Sequence, residues 1–561
     1  MLTLKNTLET DVLVVGGGIG GLCAAISAAQ GGAKVIVLEK ANSKRSGSGA
    51  TGNDHFTCYY PKAHGNDIAP ILKELLDSML GLCHDTKLSV RFLERSISIA
   101  DKWHSWGINM KPFGDDYVFM GHAFPNRPRI FLKYDGHNQK QVLTAQAKKA
   151  GAVILNHHPV LDLLRNDEGI TGALALDMSG KEPSYTVVRA KKVIIATGSA
   201  SRLYSPAGTP GWLFNTAFCP SCTGAAQAQS WRIGAKLVNM ELPNRHAGPK
   251  YFSRAGKSTW IGVYRYPNGK LLGPFVTKAT REVGDITCDV WNSAYSDVLM
   301  NGTGPAYIDC SGTGPEDMKF MRAGMISEGL GALLNYMDDK GIDPSKYGVE
   351  FMQYEPHLIG RGLQIDINGE TSVHGLYAAG DMVGNFRSDI SGAAVWGWMA
   401  GEHASANLEN GSLVEAEKSE WAQERMAYYD RFLTRPSGAH WKEAAMGLQQ
   451  IMNDYAAAGP HRVRSETLLC AGLKYLADLR TNAEECVKAA NAHELLRTVE
   501  AFELMDNGEV IMHAARERKE SRGMHQRSDY TFTNPLLSDK FLTVRKENGK
   551  VITEWRQRWS A

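Results

Sequence analysis

No run of about 18 consecutive apolar residues occurs in the 561-residue sequence, so a membrane-spanning helix is not expected. Neither sign of charge prevails. The 62 Lys and Arg against 60 Asp and Glu leave a formal net charge of +2, which offers no global field to a nucleic acid. Cysteine is sparse: nine are scattered along the chain, and the only close pair is Cys219-Pro-Ser-Cys222. Without a second CxxC the sequence cannot complete a four-thiolate zinc or iron–sulfur site, so no metal is assigned. The pair itself reads as structural or incidental, with metal or redox roles as the alternatives. The N-terminal MLTLKNTLET is short and polar and passes straight into a strand, unlike a secretory leader. Reduced thiols and a cytoplasmic location are the expectation. One absence is local. From Glu282 to Met321 there is no arginine, and within that window CDVWNSAYSDV (Cys288 to Val298) reads as one amphipathic helix.

What is present points to an enzyme of several domains. The length predicts two to four of them, and 43% apolar with 22% charged residues is ordinary globular composition. The run TDVLVVGGGIGGLCAAISAAQGGAKVIVLEK carries the strongest local signal: an apolar strand, then G-x-G-x-x-G at Gly16, Gly18 and Gly21, then a helix and a second strand ending at Glu39. Gly16 permits the tight turn, Gly18 admits a pyrophosphate, and Gly21 lets helix and strand pack closely. The helix N-terminus offers unpaired N–H groups to phosphate, and the acid at Glu39 suits ribose hydroxyls. Two later strands end in Thr197-Gly198 and in Ala379-Gly380-Asp381. The second resembles the distal FAD fingerprint of two-domain flavoproteins, which favours FAD over NAD.

Further segments carry a wider resemblance. KRSGSGATGNDHF (Lys44 to Phe56), CTGAAQAQSWRIGAKLVNMEL (Cys222 to Leu242), SGAAVWGWMAGEHAS (Ser391 to Ser405) and KESRGMHQRSDY (Lys519 to Tyr530) are similar to motifs of the fumarate reductase/succinate dehydrogenase flavoprotein superfamily. HELLRTVEAFELM and the EPHLIG segment lean toward its adenylylsulfate reductase alpha-subunit branch. The resemblance implies an α/β, Rossmann-like FAD-binding domain interrupted by an α+β capping domain and followed by a C-terminal helical domain. The boundaries expected are 1–210 and 351–405 for the FAD domain, 211–350 for the cap, and 406–561 for the helical part. It also implies contacts to FAD from Lys40, Ser46, Gly47, Ala50, Thr51, Gly52, Val160, Ser391 and Gly392, besides the glycines and acids above. No histidine lies between Ala41 and Asn53 to carry a covalent link, so non-covalent FAD is expected.

The same resemblance nominates substrate residues. His246 and His357 match the family's substrate histidines. Arg245 matches an arginine that the adenylylsulfate reductase branch places near its site, and Arg361 and Arg387 are further candidates for an anionic group, with structural ion pairs as the alternative. His525 and Arg527 read as structural. The family's active-site arginine should fall near residues 291–293, where this chain has Trp291-Asn292-Ser293. Trp291 or Asn292 is therefore expected to line the flavin-facing cleft, and Arg281 would substitute only through a loop shift. Two redox functions stay open, with a FAD-stabilised assembly scaffold as the non-redox alternative. One is the catalytic FAD subunit of a two-electron oxidoreductase, acting on a small anionic or polarised substrate and exchanging electrons with a ferredoxin-like iron–sulfur subunit in a hetero-oligomer. The other is an electron-transfer subunit with a vestigial substrate cleft. Trp212, Trp231 and Trp396 are candidates to lie between flavin and partner.

Overall fold

The computed structural model describes residues 1–561 apart from 79–80, 121–126, 206–217, 251–258, 274, 292, 460–462 and 559–561. Its central feature is a seven-stranded sheet. The strand Leu4–Val15 runs parallel to Val35–Glu39 on one side and to Ser184–Ile195 on the other. Val153–Asn156 extends the first edge, and Leu376–Ala378 adds a parallel strand to Ser184–Ile195. Ile170–Asp177 and Val160–Arg165 continue the sheet antiparallel. The central stretches Val12–Val15, Val35–Leu38 and Val193–Ile195 are buried and apolar on both faces, as strands covered from both sides must be.

Small residues set how closely the layers meet. Helix Ile19–Gln30 lies against helix Asp389–Ala406. A Cβ on Gly397 would fall 2.2 Å from the Gly20 carbonyl oxygen, and one on Gly401 would fall 2.4 Å from that of Ala24. Gly397 and Gly401 of the SGAAVWGWMAG segment thus serve backbone-to-backbone approach. Trp231 and Trp396 are buried in the main core, while Trp212 lies outside the described residues.

A second apolar core, separate from the first, gathers around a four-stranded antiparallel sheet of Ala247–Pro249, Val349–Gln353, Ala306–Asp309 and Val263–Arg265. Here one expectation is corrected. The stretch from Cys288 to Val298 is not a single helix but parts of two short ones, Thr287–Val290 and Ala294–Met300. Trp291 leaves helical geometry at φ −113, ψ 78. The Asp297 carboxylate accepts from the Ser293 hydroxyl at 2.7 Å and from the Trp291 indole N–H. These local polar bonds compete with the helix ladder and interrupt it.

Among the described residues the C-terminal part contributes four α-helices, Glu420–Thr434, Trp441–Tyr455, Glu466–Cys486 and Ala492–Glu517, followed by a hairpin of Lys540–Glu547 and Lys550–Gln557. The hairpin pairs with Leu237–Val238, which pairs in turn with Gly362–Leu363. The long helix Ala492–Glu517 reaches the main body, where Asn507 Nδ2 donates to the Gly224 carbonyl at 3.0 Å. No helix among the described residues is long and apolar enough to cross a membrane.

Candidate functional site

The glycine loop shows three different reasons for glycine. Gly16 has φ +99, and a Cβ there would lie 2.5 Å from the Ala196 carbonyl oxygen. At Gly21 a Cβ would lie 1.9 Å from the Gly16 carbonyl oxygen, so that position serves strand–helix packing. Gly18 differs from both. Its φ is −72, open to any residue, and a Cβ would meet nothing nearer than the Ala196 oxygen at 3.8 Å. Across from it, the Cβ direction of Gly47 meets only the Gly18 Cα at 4.0 Å. The protein leaves this space open on both sides, as a cradle for a ligand requires.

The loop is pinned from behind. The Gly17 N–H donates to Glu39 Oε2 at 2.7 Å, and the Gly17 carbonyl accepts from the Lys140 ammonium. The other Glu39 oxygen accepts the Ala41 N–H at 2.7 Å. Lys140 is fully buried, and burial lowers its pKa to about 8. Its role was hidden in the sequence because it arrives from a different helix, Gln139–Lys149.

Beyond the loop opens a cavity of about 390 Å³. Of the expected cofactor residues, Gly16, Gly18, Glu39, Lys40, Ser46, Gly47, Val160, Thr197, Gly198, Gly380 and Asp381 line it. Ser46 Oγ is buried there with no hydrogen-bond partner, the kind of atom a bound polar group would satisfy. Gly21, Ala50, Thr51, Gly52, Ser391 and Gly392 do not reach the wall. A Cβ on Gly52 would strike the Ser327 carbonyl oxygen at 2.1 Å, and one on Gly329 would lie 2.6 Å from Thr51 Cβ, so that pair packs loop against helix. The Ala50 N–H closes a turn onto the Gly47 carbonyl at 3.2 Å. Ser391 Oγ bonds back to the Ser388 carbonyl at 2.6 Å. Gly392 lines only a small cleft beside Phe386 and Trp396.

The same cavity is also walled by His246, Arg387, Asp389, Phe218, His55 and Glu328. Arg387 is 8% exposed, and its Nε donates to Asp389 at 3.0 Å. His357 stands behind Phe218, edge-on with ring centroids 4.8 Å apart, and is itself off the wall. Burial, with the nearby Arg387 and His246, depresses its pKa well below the ordinary range and keeps it neutral. Arg361 is turned away from the cavity: its buried guanidinium donates to the backbone carbonyls of Leu242 and Gly360, the latter at 2.8 Å. Those bonds brace the turn, which replaces the expectation that Arg361 binds substrate. Arg245 also lies off the wall, with Nη1 3.5 Å from Ser296 Oγ.

Trp291 requires a second correction. It is absent from the cavity wall and packs against the second core instead, its indole bound to Asp297. Asn292 lies outside the described residues. Arg281 does not replace the missing arginine either. Its Nε pairs with Asp317 at 2.6 Å and its guanidinium sits 5.6 Å from the Phe320 ring centroid.

The residues that sequence reasoning overlooked are Asp54 and His55, although both stand inside the quoted loop. His55 Nδ1 is 2.6 Å from Asp54 Oδ1, and Lys133 Nζ donates to the other Asp54 oxygen at 2.7 Å. Burial would lower the His55 pKa, but the adjacent Asp54 carboxylate outweighs it and raises the value. Burial likewise opposes ionisation of Asp54, and Lys133 and His55 overcome it, holding that carboxyl far below its usual range. Asp54, His55 and Glu328 bring ligand-type atoms within 4.8 Å of one another. A metal ion there would face the Lys133 ammonium that already compensates Asp54, so the group suits proton chemistry better. The signal was a carboxylate next to a histidine in a loop of small residues. It was eclipsed by the glycines around it.

His525 and Arg527 belong to a buried network, as expected. Arg464 Nη1 lies 2.9 Å from His525 Nδ1, and Arg527 pairs with Asp529 at 2.6 Å. Arg518 bridges Glu241 and Glu520, each at 2.6 Å.

Comparisons with known proteins agree with this fold. The family model described as FAD binding domain matches residues 11–394, and the one described as fumarate reductase flavoprotein C-term matches residues 445–556. The L-aspartate oxidase of Vibrio cholerae is 24% identical over 560 residues, covering 93% of this chain and 96% of that protein. Among solved structures, a mutant quinol fumarate reductase from E. coli superposes with a TM-score of 0.82 at 21% identity, covering 99% of this chain and 98% of that one. The adenylylsulfate reductase of Archaeoglobus fulgidus gives 0.80 at 22% identity, covering 100% and 97%.

Proposed function

Because the chain belongs to the FAD-binding flavoprotein family with a fumarate reductase-type C-terminal region, we propose that it is the catalytic subunit of a two-electron oxidoreductase acting on a small anionic or polarised substrate. FAD is its cofactor, and when bound the flavin supplies hydride chemistry while the protein supplies orientation and charge. Gly16, Gly18 and the first turn of helix Ile19–Gln30 would hold the pyrophosphate. Glu39 would take ribose hydroxyls, and Ser46 and Asp381 offer polar atoms further along the wall. Attachment in this reading is non-covalent.

One observation carries the catalytic part: the 2.6 Å His55–Asp54 contact sits on the wall of the cavity that the glycine loop opens into. Asp54 engages Nδ1, so the proton offered to a substrate is the one on Nε2. Lys133 favours the ionised form of Asp54, and Asp54 favours the protonated ring. His55 thereby takes the general-acid role that an arginine from the 282–321 window would have filled. Arg387 and His246 supply positive and hydrogen-bonding groups for an anionic substrate. Electrons reach the subunit from a ferredoxin-like iron–sulfur partner in a hetero-oligomer, since the sequence holds no four-thiolate set of its own. A cytoplasmic location completes the reading.

The test is anaerobic. The FAD-loaded protein is reduced with a viologen and challenged with unsaturated dicarboxylates and sulfur oxyanions. One class should reoxidise it, and His55→Gln should slow that step by about 10²- to 10⁴-fold without loss of bound flavin. If no acceptor reoxidises the protein and His55→Gln changes nothing, the flavin is a relay and the chain is an electron-transfer subunit.

A further inference from the structure

Cys219 and Cys222, set aside on their spacing alone, both line the cavity into which the glycine loop opens. They are the first and last residues of a β-turn closed by the Cys222 N–H donating to the Cys219 carbonyl at 3.0 Å. Such a turn brings its end Cα atoms within about 7 Å, and a disulfide spans about 4.4–6.8 Å. The span of this turn therefore falls within the reach of an S–S bond. The two thiols already stand within hydrogen-bonding reach of each other.

The surroundings are built around the pair. A Cβ on Gly198 would lie 2.8 Å from Cys222 Sγ, so glycine at that strand end makes room for the sulfur. The Lys40 ammonium donates to the Ser221 carbonyl inside the turn and is anchored by Glu500 at 2.9 Å, which places a held cation beside the thiols. The Cys219 N–H donates to Ser48 Oγ at 3.1 Å, tying the turn to the loop that carries Ser46 and Gly47.

The chemistry of the pair is asymmetric. A hydrogen bond from Cys222 holds the Cys219 thiol below its ordinary range, and Lys40 adds to the effect. Its partner Cys222 is pushed up by the same hydrogen bond and by burial. Cys23 and Cys58, by contrast, are raised to about 12 by burial in the core. A thiolate-leaning sulfur beside a protonated one is the pattern of an attacking and a resolving cysteine.

We infer that Cys219 and Cys222 form a redox-active dithiol that exchanges two electrons with the FAD of this cavity. When the pair is oxidised, two S–H bonds are lost and one S–S bond forms. The two electrons and two protons released convert FAD to FADH2, and the reverse transfer restores the dithiol. The inference rests on FAD occupying the cavity, and it gives the subunit a second two-electron store beside the flavin.

The experiment is an anaerobic reductive titration of the oxidised, FAD-loaded full chain, with Cys219→Ser and Cys222→Ser alongside. The wild type should take up about two more electrons per flavin than either variant. In parallel, flavin-free protein equilibrated in glutathione buffers and then alkylated should yield a Cys219–Cys222 disulfide by mass spectrometry. Equal electron uptake in all three proteins, or a pair that stays reduced across the glutathione range, overturns the inference. Should the purified chain hold no flavin and fail to take up added FAD, the cofactor assignment falls instead, and the mass-spectrometric arm still decides whether the thiols pair.

Discussion

His55 Nδ1 lies 2.6 Å from Asp54 Oδ1, and the histidine ring forms part of the cavity wall. A general acid works only while protonated. With its pKa raised by Asp54, turnover should stay flat at low pH and fall about tenfold per pH unit once the pH passes the pKa of His55. In Asp54→Asn the carboxylate that favours the charged ring is gone, so the descending limb should move to lower pH. A profile unchanged between the two proteins would remove His55 from the proton-donating role.

The two glycines that look equivalent in the motif should behave differently. Gly18→Ala meets nothing nearer than 3.8 Å in the protein, so it should fold with an unchanged melting temperature yet bind FAD at least about tenfold more weakly. Gly21→Ala drives a methyl to 1.9 Å from the Gly16 carbonyl oxygen and should lose both stability and flavin. Thermal melts read beside flavin fluorescence separate the two outcomes.

Arg518→Met should be severe although it lies far from the glycine loop in sequence. Glu520 keeps Arg522 at 2.8 Å, but Glu241 loses its buried partner. Stranding that carboxylate should cost about 3–5 kcal/mol in denaturant unfolding. The double variant Arg518→Met with Glu241→Gln should recover part of the loss, because the uncompensated charge is then removed.

Trp291→Phe should leave kcat/KM within about twofold and lower stability by about 1–3 kcal/mol, since it removes a hydrogen bond to Asp297 and Trp291 is not among the residues that line the cavity. A large fall in kcat/KM at full flavin content would return Trp291 to the substrate cleft.

The nucleotide end was legible because its signals are contiguous. Strand, glycines, helix and Glu39 follow one another within 29 residues, Asp11 to Glu39, and each obeys a local rule. The substrate end was legible only in pieces. His246 and Arg387 reach the cavity from segments about 140 residues apart in sequence, and nothing in their local sequence shows whether they face it. Arg361 shows the same difficulty from the other direction: a guanidinium in a glycine-rich turn looks like an anion site until three backbone carbonyls, those of Leu242, Ile359 and Gly360, are seen to claim it. The break at Trp291 was invisible because apolar spacing in that stretch suits one helix, and the bonds that interrupt it are side chain to side chain. Lys140 and Lys133 act on groups about 120 and 80 residues away, which no window along the chain could join.

The hairpin Lys540–Gln557 completes a sheet begun at Leu237–Val238, two residues before Met240-Glu241. During synthesis that early strand waits for some 300 residues before its neighbour Lys540–Glu547 exists. The glycine loop and its sheet draw on segments made sooner, although Leu376–Ala378 must also arrive before that sheet is whole. Assembly thus has a built-in order, with the segment around Glu241 and Arg518 locking last. Ribosome-stalled chains cut before residue 540 should hold the nucleotide half in protease-resistant form while the segment after Leu237 remains open to cleavage.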